Sequence, residues 1–348
     1  MHVRTSDPGA GPPPGIRRLL GGPASTAETA AAGRSGPLWR WAGGVALGGL
    51  GHYAAAAAVL EPLSRSPAAG PVLRAHAAVA RASHLRQLGG HAAAAVLDGG
   101  ALRALSAIAA AGAPPAADVW GTGAGAATAD ALTGLAADAL GRFDARTARV
   151  LLDRAGPWCG GPGHRSRVRH DWVLAETALI AGDPIAALGA AGRALAGARL
   201  LGSPRHVLKS RLVRAVAGGV AGEDPVAVLA ELDAVAAEAD GSGLLPLHRA
   251  ALLAGADLAA RTGARPPSGQ RGGPSAGAGR ARTGHATADR ATPDGRHDPD
   301  ARGRHAGASR FDTRSRQTDA EGRRSAVLRT VSVLYTRSDG SGRELLRE

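Results

Sequence analysis

The central part of the chain, residues 37–263, carries apolar side chains at helical spacing in stretches that short turns separate. In the clearest stretch, residues 171–180, Trp172, Ala175 and Leu179 fall at i, i+3 and i+7 on one face of a predicted helix. A second stripe follows the next turn and consists of Ile185, Leu188, Gly192 and Leu195. The pattern predicts two helices that pack their apolar faces against each other.

A glycine-containing turn recurs along this region, between Ala-rich stretches of helical pattern. Glycine readily adopts the left-handed conformation that ends a helix. At Asp183-Pro184 and Asp224-Pro225, the aspartate can cap the next helix and the proline fits its first turn. The turn glycines are Gly51, Gly89, Gly141, Gly182 and Gly222, at spacings of 38, 52, 41 and 40 residues. This repetition predicts an all-α fold, a solenoid of helical hairpins; an irregular Ala-rich helical bundle is the alternative.

The hairpins resemble those of the tetratricopeptide-repeat family. Trp172-Val173-Leu174-Ala175 resembles the Trp and Leu-Gly signature that begins the first helix of that repeat, and Gly182 matches its turn. The small residues of its second helix are matched by Ala187 and Ala194, and further matches are Trp41, Gly44, Gly51, Tyr53, Ala56, Ala82, Gly89 and Ala94. The copies are degenerate: the units are longer than 34 residues, and Arg146 stands where the third copy should have a small residue.

The resemblance implies a scaffold that binds a protein or peptide partner, with the first helix of each hairpin lining the concave face. On those helices the charged candidates for partner binding are Glu176, Lys209, Arg211 and Arg214. A basic triplet just before the clearest hairpin could meet a phosphate or an acidic peptide, with a solvated loop as the alternative; it consists of Arg165, Arg167 and Arg169. We expect a non-enzymatic protein without catalytic residues, cofactor or metal.

The flanking segments differ in composition from the centre. Residues 1–36 are rich in Pro, Gly, Ser and Thr, which predicts a disordered lead-in. Residues 264–320 contain no Leu, Ile, Val, Met, Trp or Tyr, which predicts a disordered linker rich in Arg, Gly and Pro. Residues 321–348 regain an apolar pattern with helical spacing from Val327 to Tyr335, which predicts an amphipathic C-terminal helix, although the alternation also permits a strand.

The formal net charge of +13 suggests a nucleic-acid partner at first sight. Lys209 is the only lysine, however, and the excess of Arg together with Ala and Gly is typical of GC-rich coding bias. Residues 264–348 carry 17 basic and 10 acidic side chains, so more than half of the excess lies in this tail. A regulator that contacts nucleic acid weakly through the tail is therefore the alternative to the scaffold.

The sequence also carries weak signals for compartment and membrane. The single cysteine, Cys159, excludes an intramolecular disulfide and fits a reducing cytoplasm. Residues 42–60 are apolar and long enough to cross a bilayer, but they are rich in Ala and Gly and place His52 at their centre, so we expect no membrane span.

Two further motifs have a chemical interpretation. The Gly-rich run Gly121–Ala126 fits a dinucleotide-binding fingerprint, with residues 118–120 and 149–153 as the flanking strands, and it supports a nucleotide-binding enzyme as a further alternative. A flexible loop between repeats explains the same residues. Three potential zinc ligands lie close together in a second Gly-rich loop, and Asp171 would complete a set with Cys159, His164 and His170. We prefer the interpretation that these residues form a loop with a buried thiol and exposed imidazoles, and not a zinc site.

Overall fold

The computed structural model describes residues 11–110 and 118–262, and within these ranges the secondary structure is helical, with 13 α-helices and no strand. The all-α prediction is confirmed. The helices are α1 Pro14–Gly21, α2 Thr26–Gly33, α3 Pro37–Gly49, α4 Tyr53–Arg65, α5 Gly70–Gln87, α6 His91–Ala110, α7 Ala124–Leu140, α8 Ala145–Ala155, α9 Arg165–Ile180, α10 Pro184–Leu201, α11 Pro204–Ala221, α12 Pro225–Gly241 and α13 Leu245–Thr262.

Consecutive helices pack against each other along the chain, as in a helical repeat. From α3 to α12 they pair as five hairpins, and α13 packs on the last of them. The buried faces are built mainly from Ala, Leu and Val. Because alanine side chains are small, the backbones of paired helices approach closely and each residue buries little apolar area.

The turns between paired helices largely follow the sequence prediction. Four of the five predicted turn glycines adopt a left-handed conformation, with φ of 79° at Gly51, 88° at Gly89, 78° at Gly182 and 88° at Gly222. The carboxylate of Asp183 accepts a hydrogen bond from the N–H of Ala186 at 2.9 Å and caps α10. The equivalent aspartate in the next hairpin, residue 224, caps α12 in the same way.

The third turn corrects one detail of the prediction. Gly141 has a right-handed conformation, with φ of −60°, and the left-handed position is taken by Phe143 at φ 59°. The reason lies in the next helix, where Asp144 is the N-cap and accepts from the N–H of Thr147 at 2.9 Å. The longer connection that this cap requires moves the left-handed residue two positions along the chain.

The N-terminal segment was predicted to be disordered, and for residues 14–33 this prediction was wrong. Ile16, Leu19 and Leu20 lie on one face of α1 and are buried. They pack in a cluster that includes Trp41 of α3 and Trp120 of the connection before α7. Composition favoured disorder because the segment alone has little apolar area, but distant helices supply the surface that covers it. The predictions for residues 264–320 and 321–348 lie outside the described residues.

The described helices close into a ring. Helix α1 contacts α11, and α13 contacts α3, so the last hairpins return to the first. Leu50, at the end of α3, is buried in the same apolar cluster as Leu212 of α11 and Leu252 of α13. The hydroxyl of Ser203, which caps α11, donates to the carbonyl of Gly21 at the end of α1 at 3.0 Å. The concave side therefore becomes the interior of the ring.

The apolar stretch at residues 42–60 is divided by the turn at Gly51 into the end of α3 and the beginning of α4. Within the described ranges, no helix has both the length and the apolar character needed to span a bilayer.

Candidate ligand-binding cavity

The interior of the ring holds a cavity of about 190 Å³. Its walls come from α3, α5, α7, α9, α11 and α13, so most of these are the first helices of successive hairpins. For comparison, an engineered cavity of about 150 Å³ is sufficient to bind benzene. The position matches the expectation that the first helices line the concave face, although closure of the ring makes that face a pocket instead of a long groove.

One wall of the cavity is cationic. Arg165 and Arg169 of α9 share the carboxylate of Asp130 of α7, with nitrogen–oxygen distances of 2.6 Å and 3.0 Å. Burial raises the pKa of the Asp130 carboxyl, but the two neighbouring guanidiniums outweigh this effect and hold that pKa below its ordinary value. Asp130 is the only carboxylate among the residues that the structure places on the cavity wall.

A third guanidinium, that of Arg205 on α11, lies in the same wall without a counter-charge. It donates to the backbone carbonyls of Leu20 and Val45. Among the described residues, no carboxylate lies within 4.0 Å of it. Burial, and then the charges of Arg169 and Arg165, lower the pKa of Arg205 to about 10, so it remains charged at neutral pH.

The fourth cation, Lys209, lies one turn further along α11 and pairs with Glu176 of α9 at 3.3 Å. Their side chains are 33% and 39% exposed, whereas that of Arg165 is 7% exposed. Gln87, at the end of α5, also lines the cavity and is exposed. The cavity therefore opens near Lys209 and Gln87.

The part of the cavity beside Arg165 is buried, since the side chain of Arg165 is 7% exposed, and we call this part the closed end. The guanidinium of Arg165 donates to the carbonyls of Trp120 at 2.7 Å and Gly121 at 3.2 Å. The ring of Trp120 lies directly against Gly21 of α1. These contacts join Trp120 to both α9 and α1.

Histidine and tryptophan side chains form a flat, uncharged part of the wall. The rings of Trp172 and His206 stack with centroids 5.4 Å apart, and Trp41 lies 4.7 Å from His76. Burial, followed by the nearby arginine charges, lowers the pKa of His76 to about 4, that of His84 to about 3, and that of His206 well below 6.5. These imidazoles are neutral at pH 7 and accommodate a ring without adding charge.

Four of the seven predicted partner-binding residues belong to this site. Arg165, Arg169 and Lys209 line the cavity, and Glu176 holds Lys209 at its opening. The basic triplet was considered as a solvated loop, but it lies in the first turns of α9, and Arg165 is buried. A helix was missed there because three arginines and two histidines interrupt the apolar pattern.

The other three predicted residues are not among those that line the cavity, and they are bonded within the protein. Arg167 donates to the carbonyls of Gly156 and Gly160 at 2.8 Å and 3.2 Å. Arg211 bridges two glutamates of α12, at 2.7 Å from residue 231 and 2.7 Å from residue 238. Arg214 pairs with Glu223 at 2.9 Å. Arg211 therefore joins α11 to α12, whereas Arg167 and Arg214 bond to the connections beside their own helices.

The structure removes the local support for the nucleotide-binding alternative. Residues 118–120 form a turn and residues 149–153 lie inside α8, so neither predicted strand is present. The N–H of Thr122 donates to Asp118 at 2.9 Å, and the carbonyl of Gly121 points to Arg165. A phosphate-binding loop presents free N–H groups, whereas this one presents carbonyls to an internal arginine.

The candidate zinc ligands are not assembled as a metal site. The described ranges contain no group of three Cys, His, Asp or Glu side chains placed to hold an ion. The thiol of Cys159 is buried and donates to the carbonyl of Ala155 at 3.3 Å, and Nε2 of His170 lies 3.1 Å from the carbonyl of Leu152. The preferred expectation of a buried thiol is confirmed, but His170 is buried as well.

Comparison of the chain with known protein families, with curated proteins and with solved structures gave no match. The functional argument therefore depends on the cavity itself. Sequence reasoning missed its histidines, Trp41 and Arg205. One local signal was present, because Arg165 and Arg169, like Arg205 and Lys209, are spaced i, i+4 and lie on one helix face.

Proposed function

We propose that this protein is a non-enzymatic binding protein that holds a short segment of a partner protein or peptide at the central cavity. The observation that carries the proposal is the convergence of six helices from successive repeats on one cavity. The resemblance of residues 37–263 to tetratricopeptide repeats supports it, since that family binds partners through its first helices. Because the ring is closed, the bound segment is short, such as a loop tip or a chain end.

The opening of the cavity determines where the partner approaches. It lies near Gln87 and Lys209, and Glu176 pairs with Lys209 there. Lys209 and Glu176 present both signs of charge there and are partly solvated. A partner with a polar rim around an inserted group fits this entrance.

The test uses the full chain with a photo-reactive amino acid at Gln87, and at Ala196 on the outer face of α10 as the matched position. Native-host lysate is irradiated with and without prior nuclease treatment, and the captured peptides are identified by mass spectrometry. The candidate partner is then purified and its affinity is measured directly. We expect a discrete partner from position 87 that position 196 does not capture.

A second variant distinguishes binding at the cavity from binding elsewhere. Ser83 lines the cavity, so the larger side chain of Ser83→Trp should fill it and lower the affinity for the purified partner at least tenfold. Ala196→Trp, on the outer face, should leave this affinity unchanged. Equal affinity in both variants would place the partner away from the cavity and contradict the proposal. Capture that disappears with nuclease and requires residues 264–348 would favour the nucleic-acid alternative.

A further inference from the structure

At the closed end of the cavity, positively charged side chains outnumber carboxylates among the described residues. Arg165, Arg169 and Arg205 lie together there, and Asp130 is the one carboxylate among them. The electrostatic effect of these arginines on one another is unfavourable, and Arg205 has only backbone carbonyls as partners. Arg205 is half-buried, and a guanidinium that has lost part of its hydration without gaining a counter-charge favours an anion in the space beside it.

The walls beside these arginines are flat and apolar. Trp172 stacks on the neutral ring of His206, and Val45 and Val79 line the same space. Trp172 is held by a hydrogen bond from its Nε1 to Ser210 Oγ at 2.8 Å, so the aromatic surface is preorganised. A planar ring with an attached anion complements both the aromatic wall and the cations.

The anion that best fits a guanidinium is a planar carboxylate, because two parallel N–H groups of arginine match its two oxygens. The volume of about 190 Å³ suits one ring system with a short acidic substituent. We propose that the closed end of the cavity binds a small aromatic carboxylate, with its carboxylate on Arg205 and its ring against Trp172 and His206. The proposal shares its cavity with the proposed function but does not require a protein partner.

The test measures binding of four aromatic carboxylates to the full chain: benzoate, phenylacetate, indole-3-acetate and 1-naphthaleneacetate. Each is paired with its neutral carboxamide, which keeps the shape and removes the charge. Isothermal titration gives the affinity, and quenching of tryptophan fluorescence reports contact with the cavity wall. We expect at least one carboxylate to bind and its carboxamide to bind at least tenfold more weakly.

Arg205→Gln tests the residue that the proposal assigns. It should lower the affinity for the carboxylate at least tenfold and leave the affinity for the carboxamide unchanged. Arg199→Gln, on the exposed face of α10, should change neither affinity. The substitution also removes the bonds that Arg205 donates to the carbonyls of Leu20 and Val45, so urea unfolding of the empty variant checks that it is folded. If this variant does not fold, the affinities of the unmodified chain for each acid and its amide still show whether binding depends on the carboxylate charge.

Failure to bind any of the four acids, equal affinity for acid and amide, or unchanged acid binding in Arg205→Gln would overturn the proposal. Its failure is distinguishable from that of the proposed function, because partner capture from position 87 and titration of the purified chain with each acid are separate measurements. A carboxylate that binds while no partner is captured would support this inference and contradict the proposed function.

Discussion

Asp130 is the single carboxylate between the buried guanidinium of Arg165 and the half-buried one of Arg169, which makes Asp130→Asn a decisive test of the ion cluster. The substitution keeps the size of the side chain and one acceptor oxygen, but it removes the charge that Arg165 and Arg169 share at 2.6 Å and 3.0 Å. The residue is 2% exposed, so water does not replace that charge. Removing one partner of a buried ion pair costs about 3–5 kcal/mol.

The value for this site should fall near the lower end, because the side chain of Arg169 is 22% exposed and partly solvated through the cavity. A loss of about 3 kcal/mol is a large part of a typical domain stability of about 5–15 kcal/mol. With a urea dependence of about 2–3 kcal/mol per molar, the midpoint of unfolding should fall by about 1–1.5 M.

The assay is urea unfolding followed by circular dichroism at 222 nm. Asp153→Asn is the control, because this carboxylate pairs with Arg149 on the surface and both side chains are 63% exposed; it should change stability by less than about 0.5 kcal/mol. Adding Arg169→Gln to Asp130→Asn removes one uncompensated charge and should not lower stability further. A loss below about 1 kcal/mol for Asp130→Asn would refute the reasoning, since it would mean that the charges are solvated.

Two further predictions concern α1 and the pH dependence of stability. Leu20→Ala should destabilise the protein by about 2–5 kcal/mol in the same urea assay, because Leu20 is fully buried. Leu200→Ala, at a position 72% exposed, should cost less than about 0.5 kcal/mol, and equal effects would contradict the role of α1. Burial, and then the charge of Arg165, lower the pKa of His76 from 6.5 to about 4. The contribution of neutral His76 to stability is therefore present above pH 6.5 and is lost as the pH falls toward 4, by about 3 kcal/mol in all. Burial raises the pKa of Asp98 to about 7, which acts in the opposite direction, so the unmodified chain is compared with His76→Gln. The loss of stability that His76 causes between pH 7 and pH 4.5 should occur in the unmodified chain and be absent from His76→Gln; identical pH profiles would be inconsistent with a buried neutral imidazole.

The hairpins were predictable because their signals are local. Asp183 and Pro184 specify a cap and a first turn through their own side chains, and Gly182 supplies the left-handed residue beside them. The turn at Gly141 was less predictable because an Asp cap downstream of it moved the left-handed residue to Phe143. In each case the outcome depends on residues only a few positions apart.

The cavity and α1 were not predictable in the same way because they depend on residues far apart in the chain. Ile16 and Leu20 form a short apolar face that is stable only where α3 and α11 cover it. The sequence alone does not distinguish Arg205 from an ordinary surface cation. Val45 and Arg169 lie beside it only because the ring closes. A pattern within one helix identifies its inward face but not the side chains that meet that face from other repeats.

Closure of the ring has a consequence for how this architecture can change in evolution. An open solenoid gains or loses terminal units with little effect on the others, because each unit contacts only its neighbours. Here Ser203 and Arg205 bond to Gly21 and Leu20 across 182 and 185 positions of the chain. A duplicated or deleted hairpin would separate these partners and open the interior to water. The number of hairpins is therefore set by the circumference, as strand number sets the size of a barrel, and variation is confined to side chains and turns.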